Sequence, residues 1–544
     1  MKRTLAYAAL LAAFAGCGKV STDNAAIGGR HSWTRPGVLR LAIQSEPKNL
    51  NPLLTSNTID VFVDRFMFEP LISPNEKGTQ VPILAMQVPS VENGGISKDG
   101  LTITYHLRNN AKWSDGVPVT SKDVKWSWQA IMNKDNNIIS RHAYDDIAAV
   151  DTPDAYTAVV HLKEKFAPFV NSFFTDSDQP YPVAPEHALA RYPNINEIPF
   201  NSAPMVTDGP FKFVRWVHND HISLVANPDF FMGKPGLTNV EIRVVPDENT
   251  TVNLLKTHAV DWIYQASIKT YPELKGAPGI VIDWVDVNGY YTVQINTSHP
   301  PLDDVRVRRA IAYAVDKQNL VDTAMYGQEK IATEDIPDWM WAFDPKVRLL
   351  PHDLKESKRL LAEAGYSPGP GGVMQRNGQP LSLLMVTENS NITYKQLALQ
   401  MQDQLRQAGI QVAIKQFPPA QLYAPAGEGG ILQLGTFDIV MDGWYAGIDP
   451  DDSSQFMCKN FPPGGYNYSR YCNPEMDMAE KMALEHYDRP TRKLAYAKTQ
   501  ALLARDVPQI FIDWLRQAHG LNVDFKGFSP NPVVENWNAW QWSI

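Results

Sequence analysis

The sequence predicts an α/β protein with mixed β-sheets that is built from more than one domain. Its 544 residues exceed the usual size of a single domain. Hydrophobic residues make up 44% and charged residues 20% of the chain, which is the balance of a globular protein. Segments with the two-residue period of strands alternate with segments of helical period along the whole chain, and this alternation is typical of an α/β fold.

The first residues indicate export. Lys2 and Arg3 precede an apolar stretch over residues 5–16, which is too short to span a bilayer and ends in small residues, as secretory signals do. The ending Phe14-Ala15-Gly16-Cys17 resembles a bacterial lipobox, in which the cysteine is acylated and becomes the new N-terminus. The alternative is an ordinary signal cut nearby that discards Cys17.

The composition after Cys17 predicts a flexible tether. Residues 18–37 begin with a run rich in Ser, Thr, Asn and Gly that carries few apolar side chains. No later segment is apolar for long enough to span a membrane. We therefore expect the mature protein in the periplasm or cell envelope, in contact with a membrane through a lipid anchor alone.

The charge argues against a nucleic-acid partner. The net charge is -9, whereas nucleic-acid binders carry basic faces. The short basic cluster at Arg306, Arg308 and Arg309 is typical of the solvated side of a helix.

Two cysteines remain after export, Cys458 and Cys472. In an exported protein such a pair, 14 positions apart, is more typical of a disulfide than of a metal site. On the chain-entropy model the bridge would contribute about 3 kcal/mol to stability. His218 and His221 are predicted to face opposite sides of a strand, so no metal site or cofactor is predicted.

Local patterns place the first elements. Leu39, Leu41 and Ile43 alternate with polar or small residues, and the same alternation over residues 101–108 predicts a second half-buried strand. Thr120 and Asp123 have the spacing of a capping box. A helix is predicted to follow, with one buried face formed by Val124, Trp128, Ile131 and Met132.

Similar patterns recur farther along. Tyr291, Val293 and Ile295 predict a strand, and the acidic pair Asp303 and Asp304 predicts the start of a helix. The buried face of this helix is predicted to be Val307, Ile311, Ala314 and Val315. The Pro- and Gly-rich residues 367–372 predict a loop inside a domain.

Five segments in order along the chain resemble the extracytoplasmic solute-binding proteins of family 5, the dipeptide/oligopeptide-binding group of ABC importers. The segments are YHLRNNAKWSDGVPVTSKDVKWSW (105–128), GPFK through NPDF (209–230), NTSHPPLDDVRVRRAIAYAVD (296–316), HDLKESKRLLAEAGY (352–366) and YCNPEMD (471–477). The resemblance covers nearly the whole mature chain.

The resemblance implies a periplasmic-binding-protein fold of the large three-domain type, with mixed sheets and two crossover hinge strands. Domain I would comprise residues 38–72, 205–288 and 514–544. Domain II would be residues 73–204, and domain III residues 289–513. A small solute, expected to be a peptide, would bind between domains I and III and would favour the closed state.

The resemblance also implies where the ligand binds. The segment Gly443 to Pro450, GWYAGIDP, resembles the cleft loop of the family, in which an acidic residue three positions after the Trp holds the peptide ammonium. Here that position is Gly447. Asp442 and Asp449 flank the loop and are candidates to replace it, whereas Asp449 before Pro450 is equally typical of a turn.

Further ligand contacts are expected around this loop. Trp444 and Tyr445 are candidates for an aromatic wall, with core packing as the alternative for Trp444. Lys395 is a candidate for the peptide carboxylate, although a lysine on the solvated face of a helix is more typical. The remaining candidates are the polar residues Thr55, Ser56 and Asn57 after the first strand. Trp339 and Trp341 lie in an aromatic loop and are also candidates, with simple packing as the alternative.

Two alternatives stay open at this point. A secreted hydrolase would need paired carboxylates, but Asp449, Asp451 and Asp452 share one short loop, and no common hydrolase motif is present. The second alternative is that a protein of the same fold binds an oligosaccharide, a metal chelate or an opine, since fold does not fix the solute.

The resemblance also implies partners. A monomeric receptor of this family would act with permease and ATPase subunits in the inner membrane.

Overall fold

The computed structural model describes residues 29–544 except 56, 178–179, 349, 425 and 463–464. The predicted signal peptide, Cys17 and Ser56 therefore lie outside the described residues.

The end of the predicted tether is packed against the folded body. The ring of Trp33 stacks between His31 and His258, with centroids 4.4 and 4.0 Å away, and this aromatic packing fixes the chain to the folded body before residue 37.

The strands alternate with helices along the chain, as predicted. The strands are β1 Val38–Ile43, β2 Ile72–Pro74, β3 Gln80–Pro82, β4 Thr102–His106, β5 Ile147–Asp154, β6 Thr157–Leu162, β7 Phe211–Val217, β8 His221–Ala226, β9 Asn239–Val244, β10 Trp262–Ala266, β11 Ile280–Ile295, β12 Lys330–Ile331, β13 Ser367–Pro368, β14 Met374–Arg376, β15 Gln379–Pro380, β16 Ser382–Glu388, β17 Gln411–Phe417, β18 Ile439–Tyr445 and β19 Gln509–Asn522.

The helices range from single turns to an eighteen-residue helix near the C-terminus. They are α1 Thr58–Asp64, α2 Ser121–Met132, α3 Glu186–Leu189, α4 Glu248–Lys256, α5 Tyr271–Leu274, α6 Val305–Ala314, α7 Lys317–Ala324, α8 Leu354–Glu363, α9 Ile392–Gln407, α10 Pro419–Leu422, α11 Ile431–Leu434, α12 Ser453–Phe456, α13 Pro474–Glu485 and α14 Arg489–Asp506. None of the described helices is long and apolar enough to cross a bilayer.

One large mixed sheet runs through the molecule. Its strands lie in the order β17-β16-β18-β11-β19-β10-β1-β9-β8-β7. The pairs β1–β9, β1–β10, β16–β17 and β16–β18 are parallel, and the pairs that involve β11 and β19 are antiparallel. The α/β class with mixed sheets is therefore confirmed.

The long strands β11 and β19 connect the two halves of this sheet. The first part of β11 pairs with residues 516–522 of β19, and its second part pairs with residues 509–514 and with β18. The register shifts between Asp286 and Tyr290, so the ladder is interrupted midway along both strands.

Two hydrophobic cores lie on the two sides of this interruption. The larger core contains buried side chains from residues 39–264 and 521–544, whereas the second contains residues 293–512. The chain passes from the first core to the second along β11 and returns along β19. The boundaries of the three predicted domains stay a prediction.

The elements predicted from local patterns are confirmed. Thr120 and Asp123 form the capping box at the start of α2, and Asp304 caps α6, where its side chain accepts a hydrogen bond from the Arg306 N–H. Val307 and Ile311 are fully buried on α6. In contrast to the predicted loop, Ser367 and Pro368 form the short strand β13, which pairs with β14.

The structure joins Cys458 and Cys472. Their Sγ atoms lie at bonding distance and their Cα atoms are 4.7 Å apart. Nearby, Asp477 accepts a hydrogen bond from the Cys458 N–H at 2.8 Å, which ties this loop to the first turn of α13.

Candidate functional site

A cleft lies between the two cores, and two adjoining cavities form it. We call them the Tyr445 cavity, of about 290 Å³, and the Glu329 cavity, of about 520 Å³. Gln265 and Gln517 line both cavities, so the two spaces adjoin at these residues. Ligand sites in proteins are commonly concave spaces of this order of size.

A backbone irregularity lies at Gln265. The pairing of β10 with β19 shifts register between Ile263 and Ala266, and Gln265 has a φ of 49°. Such bulges redirect side chains next to functional sites. The amide of Gln265 donates hydrogen bonds to the Tyr264 hydroxyl at 2.8 Å and to Glu535 Oε1 at 3.1 Å, both of which also line the Tyr445 cavity.

The Tyr445 cavity combines an apolar floor with several polar groups. Its polar lining includes Thr55 and Asn57, from the start of α1, and Glu535, from the C-terminal segment. Asn57 caps α1 and accepts a hydrogen bond from the Asp60 N–H at 3.0 Å. Burial raises the pKa of Glu535 to about 7, against the hydrogen bonds from Gln265 and Tyr264 that lower it.

The Glu329 cavity has a lining of mixed charge. The acidic Glu329 and Glu388 line it together with Tyr291, and so do the basic Lys269 and Arg516. The guanidinium of Arg516 is already engaged, because it donates to Asp286 at 2.8 Å and to the Gln328 carbonyl at 3.1 Å and lies over the Trp284 ring.

Two buried carboxylates lie close to this cavity. Asp513 is fully buried on β19, and Asp442 on β18 is 5% exposed. Burial raises the pKa of each to about 6. The Tyr423 hydroxyl donates to Asp442 at 2.8 Å, and Asp513 accepts a hydrogen bond from the Tyr291 N–H at 3.2 Å.

A glycine allows two tyrosines to approach the strand beside Asp442. A Cβ atom at Gly443 would lie 2.6 Å from the Tyr394 hydroxyl and 3.0 Å from the Tyr291 ring. The rings of Tyr291 and Tyr394 meet edge to face, with centroids 5.3 Å apart. Glycine at this position therefore makes room for the aromatic pair beside the cavity.

A family model and several known proteins match this chain. The family model "Bacterial extracellular solute-binding proteins, family 5 Middle" matches residues 81–467. The chain belongs to this family. Family 5 proteins are extracytoplasmic binding components of ABC importers and not enzymes, and they act with permease and ATPase subunits.

Among the curated family 5 proteins, the oligopeptide-binding protein AppA of Bacillus subtilis is 24% identical over 508 residues, covering 91% of this chain and 90% of AppA. The glutathione-binding protein GsiB of Pectobacterium atrosepticum is 25% identical over 496 residues, covering 90% of this chain and 91% of GsiB.

Solved structures confirm the periplasmic-binding-protein fold. Bacillus subtilis AppA in complex with a nonapeptide matches with a TM-score of 0.74 and 23% identity, covering 93% of this chain and 99% of AppA. NikZ from Campylobacter jejuni in complex with Ni(L-His) matches with a TM-score of 0.77 and 24% identity, covering 94% of this chain and 100% of NikZ.

Several residues predicted for this family 5 protein do lie in the cleft. Thr55, Asn57 and Tyr445 line the Tyr445 cavity. Asp442 lines neither cavity and is buried near Tyr423 and Tyr394. Their roles in binding stay a prediction. Ser56 lies outside the described residues.

Trp444 does not join Tyr445 in the cavity lining. It is half-buried and packs against the cluster that contains Tyr290 and Trp514, with its ring 5.6 Å from that of Tyr466. Neighbouring residues on a strand point to opposite faces, so Trp444 and Tyr445 do not form one aromatic wall. The core alternative is the one that the structure favours for Trp444.

Asp449 is placed away from both cavities. Its carboxylate accepts hydrogen bonds from both terminal nitrogens of Arg492, one of them at 2.8 Å, and from Asn171 at 2.7 Å. These donors already satisfy the oxygens of Asp449, so its role as the replacement for the missing acidic anchor stays a prediction without support from the geometry. At the anchor position, Gly447 presents only its carbonyl, which accepts from Asn288 at 2.8 Å.

Two further candidates lie elsewhere. Lys395 is exposed on α9 and lines neither cavity, as the solvated-face alternative predicted. Trp341 lines a separate crevice, where Arg489 and Arg492 lie over its ring at 5.4 Å.

Sequence patterns missed the acidic side of the cleft. Glu329 lies in a short connection between α7 and β12, where no periodicity marks it, and Glu388 is the last residue of β16. For Gln265 the sequence carries a weak indication of a place at the cleft, because this polar residue directly follows the apolar run Trp262 to Tyr264.

Proposed function

We propose that this family 5 protein captures a peptide in the cleft between its two cores and delivers it to an ABC importer. The observation that carries the proposal is the joining of the Tyr445 and Glu329 cavities at Gln265 and Gln517. Each cavity alone is as large as a typical site for a small molecule, so together they offer room for several peptide residues. The peptide-binding relatives support the same class of solute.

The chain path supports a closing motion. Since β11 and β19 carry the chain between the two cores, and their register is interrupted between Asp286 and Tyr290, we place the hinge there. In this proposal domain III, residues 289–513, closes on domain I, residues 38–72, 205–288 and 514–544. A peptide that contacts both walls would stabilise the closed state by its differential affinity.

Native mass spectrometry of freshly purified protein tests the solute class. We expect a heterogeneous set of bound peptides that is released on denaturation. A single sugar or metal complex would contradict the peptide and favour a non-peptide solute in the same cleft, as Ni(L-His) is bound by NikZ.

Variants test the position of the cleft. Tyr445→Ala and Gln265→Ala are expected to weaken binding of the recovered peptides by about tenfold, because each removes a side chain from the cavity lining. Lys395→Ala is the matched control, since this side chain is exposed and lines neither cavity. Equal titration curves for all four proteins would show that the ligand binds elsewhere.

We also propose that Cys17 is acylated after signal removal, that the mature protein is monomeric, and that the bond between Cys458 and Cys472 forms on export. Intact mass of the membrane fraction would reveal the lipid, and Cys17→Ser would move the protein to the soluble fraction. Peptide mapping with and without reduction would identify the bridge.

A further inference from the structure

The two halves of the molecule meet at a second place, outside the Tyr445 and Glu329 cavities. The connection between α13 and α14 belongs to the part of the chain that contains the second core, and it reaches across to the larger core. There the Tyr487 hydroxyl donates a hydrogen bond to the Gly100 carbonyl at 2.8 Å and lies 3.4 Å from the Phe166 carbonyl. Both the Tyr487 ring and Leu484 pack against the larger core.

The fit between Tyr487 and Gly100 is close. Gly100 has a φ of 73°, a conformation that favours glycine, and a Cβ atom there would lie 2.6 Å from Cε2 of the Tyr487 ring. Phe166, the other neighbour, is a buried member of the larger core. Tyr487 is therefore seated against a formed part of the larger core.

A second hydrogen bond links the same parts of the molecule. Asn171 ends the short 3₁₀ helix Ala167–Asn171, which directly follows Phe166, and its amide donates to the Asp449 carboxylate at 2.7 Å. Asp449 is in turn held by Arg492 on α14. Because the guanidinium fixes this carboxylate, Asn171 meets an acceptor in a set position and forms a directional, charge-assisted bond.

These contacts lie at the rim of the cleft. Asp449 comes four residues after Tyr445, and Asn171 comes six residues before Ser177; Tyr445 and Ser177 both line the Tyr445 cavity. The contact residues themselves line neither the Tyr445 cavity nor the Glu329 cavity. A solute in the cleft therefore has no part in these bonds.

We propose that these contacts form a latch, which holds the closed state without touching the solute. The latch residues are Tyr487 and Asp449 on the side of the second core and Gly100, Phe166 and Asn171 on the side of the larger core. Bonds that break when the cleft opens stabilise the closed state equally for every solute. The latch therefore keeps a measurable fraction of the ligand-free protein closed, and it slows the release of every solute by the same factor.

The latch rests on one part of the proposed function, the hinge closure at the interruption of β11 and β19. It does not depend on the chemistry of the solute. It also gives the segment over residues 97–171, which lies outside the predicted domains I and III, a role in setting the affinity.

Single-molecule fluorescence energy transfer on the whole mature chain without ligand tests the latch. Dyes on Lys134→Cys and Lys358→Cys would report the separation, because both side chains are exposed and they lie on the sides of the larger and the second core. We expect an open and a closed state in the wild type. Tyr487→Phe and Asn171→Ala should each lower the ratio of closed to open molecules by about fivefold, the usual effect of one lost hydrogen bond.

Tyr192→Phe is the matched control. Tyr192 also packs against the larger core, but its hydroxyl accepts a hydrogen bond from Arg191, its neighbour in the chain. The ratio should therefore stay within twofold of the wild type, and thermal unfolding should stay cooperative in all three variants. A closed fraction that is equal in the wild type, Tyr487→Phe and Asn171→Ala, or absent from all of them, would overturn the proposal.

The release of recovered peptides distinguishes a latch from a ligand contact. Each peptide that co-purifies should leave Tyr487→Phe faster than the wild type by about the same factor. Tyr445→Ala should instead change the rate by a factor that depends on the peptide, since Tyr445 lines the cavity. A factor that varies among peptides in Tyr487→Phe would show that Tyr487 meets the solute, and the latch would be wrong.

The two proposals fail in different ways. If no peptide binds, the peptide function is wrong, while the fluorescence measurement on ligand-free protein still decides the latch. If peptides bind and the closed fraction does not respond to either latch variant, the peptide function stands and the latch is wrong.

Discussion

Asp449 shows how a residue with the chemistry of a ligand anchor serves the fold. Its carboxylate connects Arg492 on α14 with Asn171, and both Asp449 and Arg492 are buried, at 7% and 5% exposure. Burial alone would lower the pKa of the guanidinium, but the paired carboxylate and Tyr496 hold the pKa of Arg492 above its usual value. The cleft loop is thereby fixed to segments that lie far away in the sequence.

We predict that Asp449→Asn lowers the free energy of unfolding by about 3 kcal/mol, because it leaves a buried guanidinium without its counter-charge. Urea titration would measure this loss. Asp403→Asn is the control, since its pair with Arg406 is exposed and solvent screening leaves such pairs with little effect on stability. Unchanged stability combined with a large loss of ligand affinity would instead restore Asp449 to the binding site.

At the scale of the element, β18 shows how one strand serves both core and site. Ile439 and Met441 belong to the second core, whereas Asp442 and Tyr445 lie beside the cavities. Gly443 keeps the strand close to Tyr394 without steric conflict. The strand therefore carries its polar groups at the edge of the cleft while its apolar residues stay buried.

We predict that Gly443→Ala destabilises the protein by about 1–3 kcal/mol and weakens ligand binding, because the added methyl group overlaps the Tyr394 hydroxyl. Thermal unfolding and titration with the recovered solute would measure both effects. Tyr394→Phe removes the hydroxyl and should restore part of the stability in the double variant. If the two substitutions are simply additive, the close contact is not the cause.

At the scale of the whole molecule, the buried acids of the cleft link stability to pH. Burial raises the pKa of Glu535 to about 7, above its value of about 4.5 in an unfolded chain. Folded protein thus holds this proton more tightly than unfolded protein does. The stabilisation from Glu535 is complete below about pH 4.5 and is lost as the pH rises to about 7.

We predict that Glu535→Gln becomes more stable relative to the wild type between pH 4.5 and 7, by up to about 3 kcal/mol, and that the difference is constant above that range. Chemical unfolding of ligand-free protein at several pH values would measure it. The lowered pKa values of His519 and Lys317 make stability rise with pH, the opposite of the effect of Glu535. Because both groups are present in the variant and in the wild type, the difference between the two proteins isolates Glu535. A difference that does not change with pH would contradict the assigned burial.

Local patterns in the sequence were sufficient for much of the fold. The capping box of α2, the cap of α6 and the alternation in β4 depend on neighbours only a few residues apart, so they are visible in the sequence. The family resemblance added the overall architecture, and the cleft residues Thr55, Asn57 and Tyr445 with it.

What the sequence by itself determined is therefore the α/β class, the family and the local elements, whereas the tertiary structure decided which polar groups share the cleft. Alternation along β18 requires Trp444 and Tyr445 to face opposite sides, but only the packing of Trp444 against the cluster that contains Tyr290 and Trp514 decides which of them meets the cavity. Likewise Glu329 and Asp513 are distant in the chain, and they face each other because β12 pairs with β19 and brings the α7–β12 connection to that strand.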